Sequence, residues 1–123
     1  MATITSTFRL DSLSYTDILA ISIAPTFNVG DPTKSGTITT TSTTDQEIID
    51  RAHAKDTFVF VRNTGSSTAG NVHVTDAASS AQNSISLLKP GEFLFIPLKA
   101  GVGMKLKYDT AVTSVEWHYW SRA

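Results

Sequence analysis

Cysteine is absent from the 123 residues. That removes disulfides, thiol nucleophiles and cysteine metal sites in one step. An excess of charge is absent too: Lys and Arg number 10, Asp and Glu 11, and the net charge is −1. Nothing in that balance points to an electrostatic partner such as DNA or an anionic membrane. No apolar run approaches the roughly 18–20 residues that cross a bilayer as a helix. The opening MATITSTFRLDS has no basic segment followed by an apolar one, so no secretion signal is expected and synthesis in the cytoplasm without export is. The length fits one domain over 1–123, large enough for a sound core.

Recognisable chemistry is also scarce. The three histidines, His53, His73 and His118, stand apart, with no HxH or HExxH spacing. There is no GxSxG elbow and no Gly-rich phosphate loop. Asp31, Asp76 and Asp109 sit in turn-like contexts, where a carboxylate serves local hydrogen bonding. Catalytic, metal and cofactor residues are therefore expected to be none, and the chain is read as not an enzyme. PGEFLFIP (90–97) is similar to the Gly-Glu/Asp-x-x-x-Ile-Pro stretch of cupins, which are jelly-roll barrels. Cupins bind metal through an HxH motif just upstream, and here Val72-His73-Val74 offers only one ligand. A cupin-like enzyme remains the third reading.

What is present is strand. Period-two alternation recurs in 3–10, 17–24, 71–76, 84–88, 102–108 and 114–120, the mark of strands with one buried face. Turn residues punctuate these runs at Asn28–Pro32, Asn63–Ser67, Gly70-Asn71, Asp76–Ser80, Lys89–Gly91, Ala100–Gly103 and Asp109-Thr110. The pattern predicts an all-β fold, an antiparallel β-sandwich or jelly roll of about eight to ten strands. The run TITTTSTT (37–44) reads as a polar edge strand or a mobile loop. Residues 44–56 leave two readings open. Thr44-x-x-Glu47 is a capping-box pattern that predicts a short helix near 45–54. Alternatively, a strand carries Ile48 or Ile49 inward and a turn follows at Ala54–Asp56.

Two strands break the one-sided pattern. TFVFVRN (57–63) sets Phe58 and Phe60 against Val59 and Val61. FLFIPL (93–98) sets Phe93 and Phe95 against Leu94, Ile96 and Leu98. Leaving either face in water forfeits about 1.5–3 kcal/mol per large side chain and makes a sticky patch. Cover comes either from this chain's own 45–56 segment, N-terminal arm or a long loop, or from another subunit. Because interfaces favour aromatics, Phe58, Phe60, Phe93 and Phe95 are the expected subunit or capsid interface, and the aliphatic faces the core. Pro97, which lacks an N–H, belongs at an edge, a bulge or a strand end. Near the C-terminus, Trp117 and Tyr119 share the parity of Val115 and read as core. Trp120 falls on the Glu116/His118 side, where an exposed aromatic could stack on a sugar.

The order FVFVRNTG, VHV, LKPGEFLFIPLKAG, VEWHYW, over roughly 57–120 with a looser match at DILAISIA (17–24), resembles the small β-rich virion structural proteins of tailed bacteriophages. The resemblance implies a capsid decoration (cement) protein without an enzymatic site, a homotrimer favoured, bound to the major capsid protein or another virion protein and located in the virion. The alternative it implies is a tail or fibre component with a receptor- or glycan-binding role. No nucleic acid and no membrane are expected as partners.

Overall fold

The computed structural model describes residues 2–12, 19–40, 44–66, 68–78, 83–109 and 113–123. The strands are β1 Ala2–Thr5, β2 Phe8–Ser12, β3 Leu19–Ile23, β4 Thr26–Thr40, β5 Gln46–Ile49, β6 Thr57–Asn63, β7 Val72–Thr75, β8 Ser84–Leu88, β9 Phe93–Leu98, β10 Met104–Tyr108 and β11 Thr113–Arg122. They form a five-stranded sheet β1-β4-β11-β6-β9, a four-stranded sheet β5-β10-β7-β8 and a two-stranded ribbon β2-β3, all antiparallel. Strands β4 and β11, β6 and β9, β5 and β10, and β7 and β8 are neighbours. That nesting is a long hairpin rolled over two layers, the jelly-roll form of a β-sandwich.

The core lies between the layers. Val59, Val61, Val72, Val74, Met104, Leu106 and Val115 are fully buried there, with Leu98, Tyr108 and Tyr119 beside them. In β6 the inward residues are Thr57, Val59, Val61 and Asn63. Their cross-strand partners on β9 are Leu98, Ile96 and Leu94, and on β11 Ser121, Tyr119, Trp117 and Val115. The aliphatic faces of the two unusual strands therefore fill the interior. Pro97 sits in β9, an edge strand of the five-stranded sheet, where a missing N–H costs least.

Three expectations need correcting. No helix occurs among the described residues. Residues 46–49 are β5, followed by a turn at Arg51-Ala52. Both isoleucines are buried because the β10 register runs Met104↔Ile49 and then Lys105↔Glu47. Ile48 lacks a partner, and the bulge lets consecutive side chains turn inward. Second, Asn28–Pro32 is no turn. It lies inside the 15-residue β4, and the turn-forming Asp31-Pro32 pair is spent in a bulge between Gly30↔Ser121 and Thr33↔Trp120. Third, 3–10 is two strands, broken at Ser6-Thr7. Of the Thr-rich run, 37–40 pairs with β11 along the half of β4 that β1 does not reach, so it is an edge. Residues 41–43 lie outside the described residues.

Candidate functional site: the aromatic sheet face

The outward face of the five-stranded sheet is built by parity. Turning Val59 and Val61 inward turns Phe58, Phe60 and Arg62 outward. Register then aligns Phe58 with Trp120 and Pro97, Phe60 with His118 and Phe95, and Arg62 with Glu116 and Phe93. On the β4 side Thr33, Ser35 and Thr37 continue the Trp120, His118 and Glu116 rows. Beyond the bulge, Val29 pairs with Arg122, which places Val29 and Phe27 on this same face.

The four phenylalanines singled out in the sequence meet here, but they are not equivalent. Phe58 is 6% exposed. Phe27 covers it with ring centroids 4.5 Å apart, Phe95 stacks at 6.2 Å and 3°, and the Arg122 guanidinium lies 4.8 Å above the ring. Phe58 thus belongs to a small outer core and is not free to meet a partner. Phe60 and Phe95 are half-buried, and Phe93 is 53% exposed. Phe60 sits 6.1 Å from Phe93 and 5.9 Å from His118. Cover therefore fades from Phe58 to Phe93. Where it ends, a groove of about 570 Å³ opens between Phe60, Phe93 and Phe95 on one side and Phe8 and Ile23 on the other.

Sequence reasoning missed Phe27, Phe8 and Ile23. Phe27 precedes the Gly30–Pro32 turn chemistry that disguised β4. The face also carries a polar margin. His118 Nε2 lies 2.9 Å from Glu116 Oε1, and the His118 ring stacks on half-buried Trp120 at 5.9 Å and 14°. Trp117 and Tyr119 are on the other face, and Tyr119 is buried.

The other polar clusters are local. His73 faces away from the core, since Val72 and Val74 point in, and its Nε2 meets Asp109 Oδ1. That hydrogen bond, with a second from Asn71, holds the Asp109 carboxyl below its usual range. Asp76 is held low by hydrogen bonds from the Asn83 side chain and backbone. Between the layers, Tyr108 donates to Gln46 Oε1 at 2.7 Å, and burial pushes its phenol up to about 12. His53 lines an open cleft of about 470 Å³ with Lys34, Glu47, Asp50 and Tyr119, its Nε2 3.3 Å from the buried Ser121 Oγ. Among the described residues no three His, Asp or Glu side chains converge. The residue matching the cupin ligand, His73, lies outside an interior that Val72, Val74, Met104 and Leu106 fill.

No protein-family model matches the chain, and no curated protein does. Solved structures similar to it include the following two. One is hydroxypropylphosphonic acid epoxidase from S. wedmorenis in complex with fosfomycin, at 14% identity and a TM-score of 0.44, over 71% of this chain. This chain spans only 42% of the epoxidase's length. The other is a candidate mannose-6-phosphate isomerase from Ralstonia eutropha JMP134, at 11% identity and a TM-score of 0.34, over 99% of this chain and 86% of that one. Values this low assign neither family nor activity to this chain.

Proposed function

We propose that this chain is a non-catalytic structural assembly protein that attaches to its neighbours through the Phe60/Phe93/Phe95 end of the outer sheet face. The observation that carries the reading is the 53% exposure of Phe93 on a sheet whose opposite face already fills the core. Large aromatics left in water beside other aromatics lose their burial energy until another molecule covers them. The setting we favour is the one the sequence resemblance implies: a phage capsid decoration protein, oligomeric on the capsid lattice. Its action is passive, many weak contacts adding through avidity. A tail or fibre component that binds glycan is the second reading, favoured by half-buried Trp120 beside the exposed Thr33 and Ser35 hydroxyls.

Light scattering on the purified chain tests the assembly step. Association at micromolar concentration that Phe93→Ser abolishes is expected, and a strictly monomeric particle counts against the reading. Electron microscopy of intact particles tests the setting. Stoichiometric density over the capsid lattice supports decoration, and density confined to the tail favours the second reading.

A further inference from the structure

Over residues 33–40, β4 lies at an edge of the five-stranded sheet, because β1 pairs only with its first residues. β5 is an edge of the four-stranded sheet. Among the described residues no ladder joins these two edges, and the cleft of about 470 Å³ opens between them. That volume suits a small ligand. The two walls differ in charge. Lys34 and Tyr119, cross-strand partners on the inner side of the five-stranded sheet, form one. Glu47 and Asp50, from β5 and the turn after it, form the other, with Ile48 and Ala52 as apolar neighbours. His53 joins the walls, since its Nε2 lies 3.3 Å from Ser121 Oγ on β11.

The acidic wall is pinned. Ala52 N–H donates to Asp50 Oδ1 at 2.7 Å, His53 N–H to Asp50 O at 3.0 Å and Gly101 N–H to His53 O at 3.1 Å. The other wall holds polar groups that the chain does not answer. Lys34 makes no ion pair among the described residues, so it meets neither Glu47 nor Asp50 across the cleft. Tyr119 is only 5% exposed, yet its hydroxyl makes no hydrogen bond among the described residues. A hydroxyl on so deeply buried a side chain has only the cleft in which to find a partner. Burial also raises its pKa, so at neutral pH it stays a donor.

We propose that this cleft binds a small zwitterion, a free α-amino acid with an apolar side chain. Its ammonium sits against Glu47 and Asp50, its carboxylate meets Lys34 and the Tyr119 hydroxyl, and its side chain lies on Ile48 and Ala52. Opposite charges held apart on two walls are bridged by a ligand that carries both. A lone anion such as phosphate fits poorly, because two carboxylates outnumber one ammonium. A simple amine leaves Lys34 facing a like charge, and an uncharged sugar covers the charges without answering them. The cleft lies on the opposite side of the sheet from Phe60 and Phe93, so ligand binding and assembly do not depend on each other.

Isothermal titration calorimetry of the full chain with L-leucine tests this, and saturable binding at a single site is expected. Capping either charge, as N-acetyl-L-leucine or L-leucinamide, should weaken binding about tenfold, the size of a lost charge-assisted hydrogen bond. Lys34→Met should weaken L-leucine similarly, as should Asp50→Asn, which keeps an acceptor for Ala52 N–H, both with unchanged circular dichroism. Tyr119→Phe should weaken it too while leaving the melting temperature unchanged or higher, because the lost hydroxyl has no partner in the protein. No binding of L-leucine at about 10 mM overturns the proposal. Equal binding of either capped form overturns it as well, and so does equal binding of D-glucose, which would mark a neutral polyol site. If L-leucine binds but Lys34→Met and Asp50→Asn bind it as well as the native chain does, the ligand sits elsewhere and the assignment of the cleft falls.

Discussion

Replacing Asn63 with Asp exchanges an amide nitrogen for a carboxylate oxygen and removes two hydrogen bonds. Asn63 is fully buried at the end of β6. Its Nδ2 donates to Gly70 O and to Leu88 O, each at 3.1 Å, and its Oδ1 accepts from Gly65 N–H at 3.0 Å. One side chain thus ties the 64–70 loop to the end of β8, while its backbone bonds Glu92 O and Gly91 N–H in the β8–β9 turn. In Asn63→Asp the contact with Gly65 survives, but a carboxylate oxygen faces two carbonyls. Two bonds vanish at about 1 kcal/mol each, and two buried carbonyls lose their donor at about 1–3 kcal/mol apiece. We expect a loss of about 4–8 kcal/mol at pH 7. The neutral acid can still donate once, so the folded-state pKa of the introduced Asp is raised above its unfolded value of about 3.9. A raised acid binds its proton more tightly when folded, so stability falls as pH rises from the unfolded to the folded pKa. Urea unfolding at pH 4 to 8 should therefore show Asn63→Asp closest to the native protein at pH 4 and falling away by about 1.4 kcal/mol per pH unit. A pH-independent loss, or one under about 1 kcal/mol at pH 7, would refute the assignment of Asn63 as a buried pin.

Further outcomes follow from the same packing. Phe58→Ala should cost about 3–5 kcal/mol in unfolding experiments, as a buried aromatic does, whereas Phe93→Ser should change stability by less than about 0.5 kcal/mol yet remove association in light scattering. Gly36→Ala places a Cβ 2.9 Å from the Trp117 ring. A loss of about 1–3 kcal/mol with a shifted tryptophan emission is expected, since that indole N–H is buried and finds no acceptor among the described residues. Asp76 and Asp109 are held below their ordinary value of 3.8. A depressed carboxylate stabilises the fold above its unfolded pKa and ceases to as pH falls through the folded one. The gap in melting temperature between the native chain and Asp76→Asn should therefore be widest near neutral pH and close in acid. Tyr108 has the opposite sign of dependence on the alkaline side. With the folded phenol near 12 against 10.0, stability should fall as pH rises from 10 toward 12, and Tyr108→Phe should flatten that limb of a denaturation–pH curve.

Strands bounded by turn residues were legible from sequence. β6, β8 and β9 begin and end where TFVFVRN, SISLL and FLFIPL do, because local turn chemistry and alternation agree there. β4 was illegible because Gly30-Asp31-Pro32 is strong turn chemistry locally, and only pairing with β11 converts it into a bulge. β5 was ambiguous for a related reason. Adjacent buried isoleucines fit one side of a helix, and the bulge opposite Met104 and Lys105 produces the same pattern in a strand.

The parity of the phenylalanines was equally legible, but their cover was not. Phe58 owes its burial to Phe27, thirty-one positions earlier, and to Arg122 near the other end of the chain. No window of sequence contains that cluster. The chain's own segments cover Phe58 and leave Phe93 53% exposed. Phe27 seals Phe58 because β4 runs beside β11 there. Beyond the strand breaks at Ser6-Thr7 and Ala24-Pro25, Phe8 and Ile23 line a groove with Phe60, Phe93 and Phe95. The β2–β3 ribbon and the sheet are thus two apolar walls of that groove. That geometry is what turns an excess of greasy strand into a surface with a specific shape to be filled.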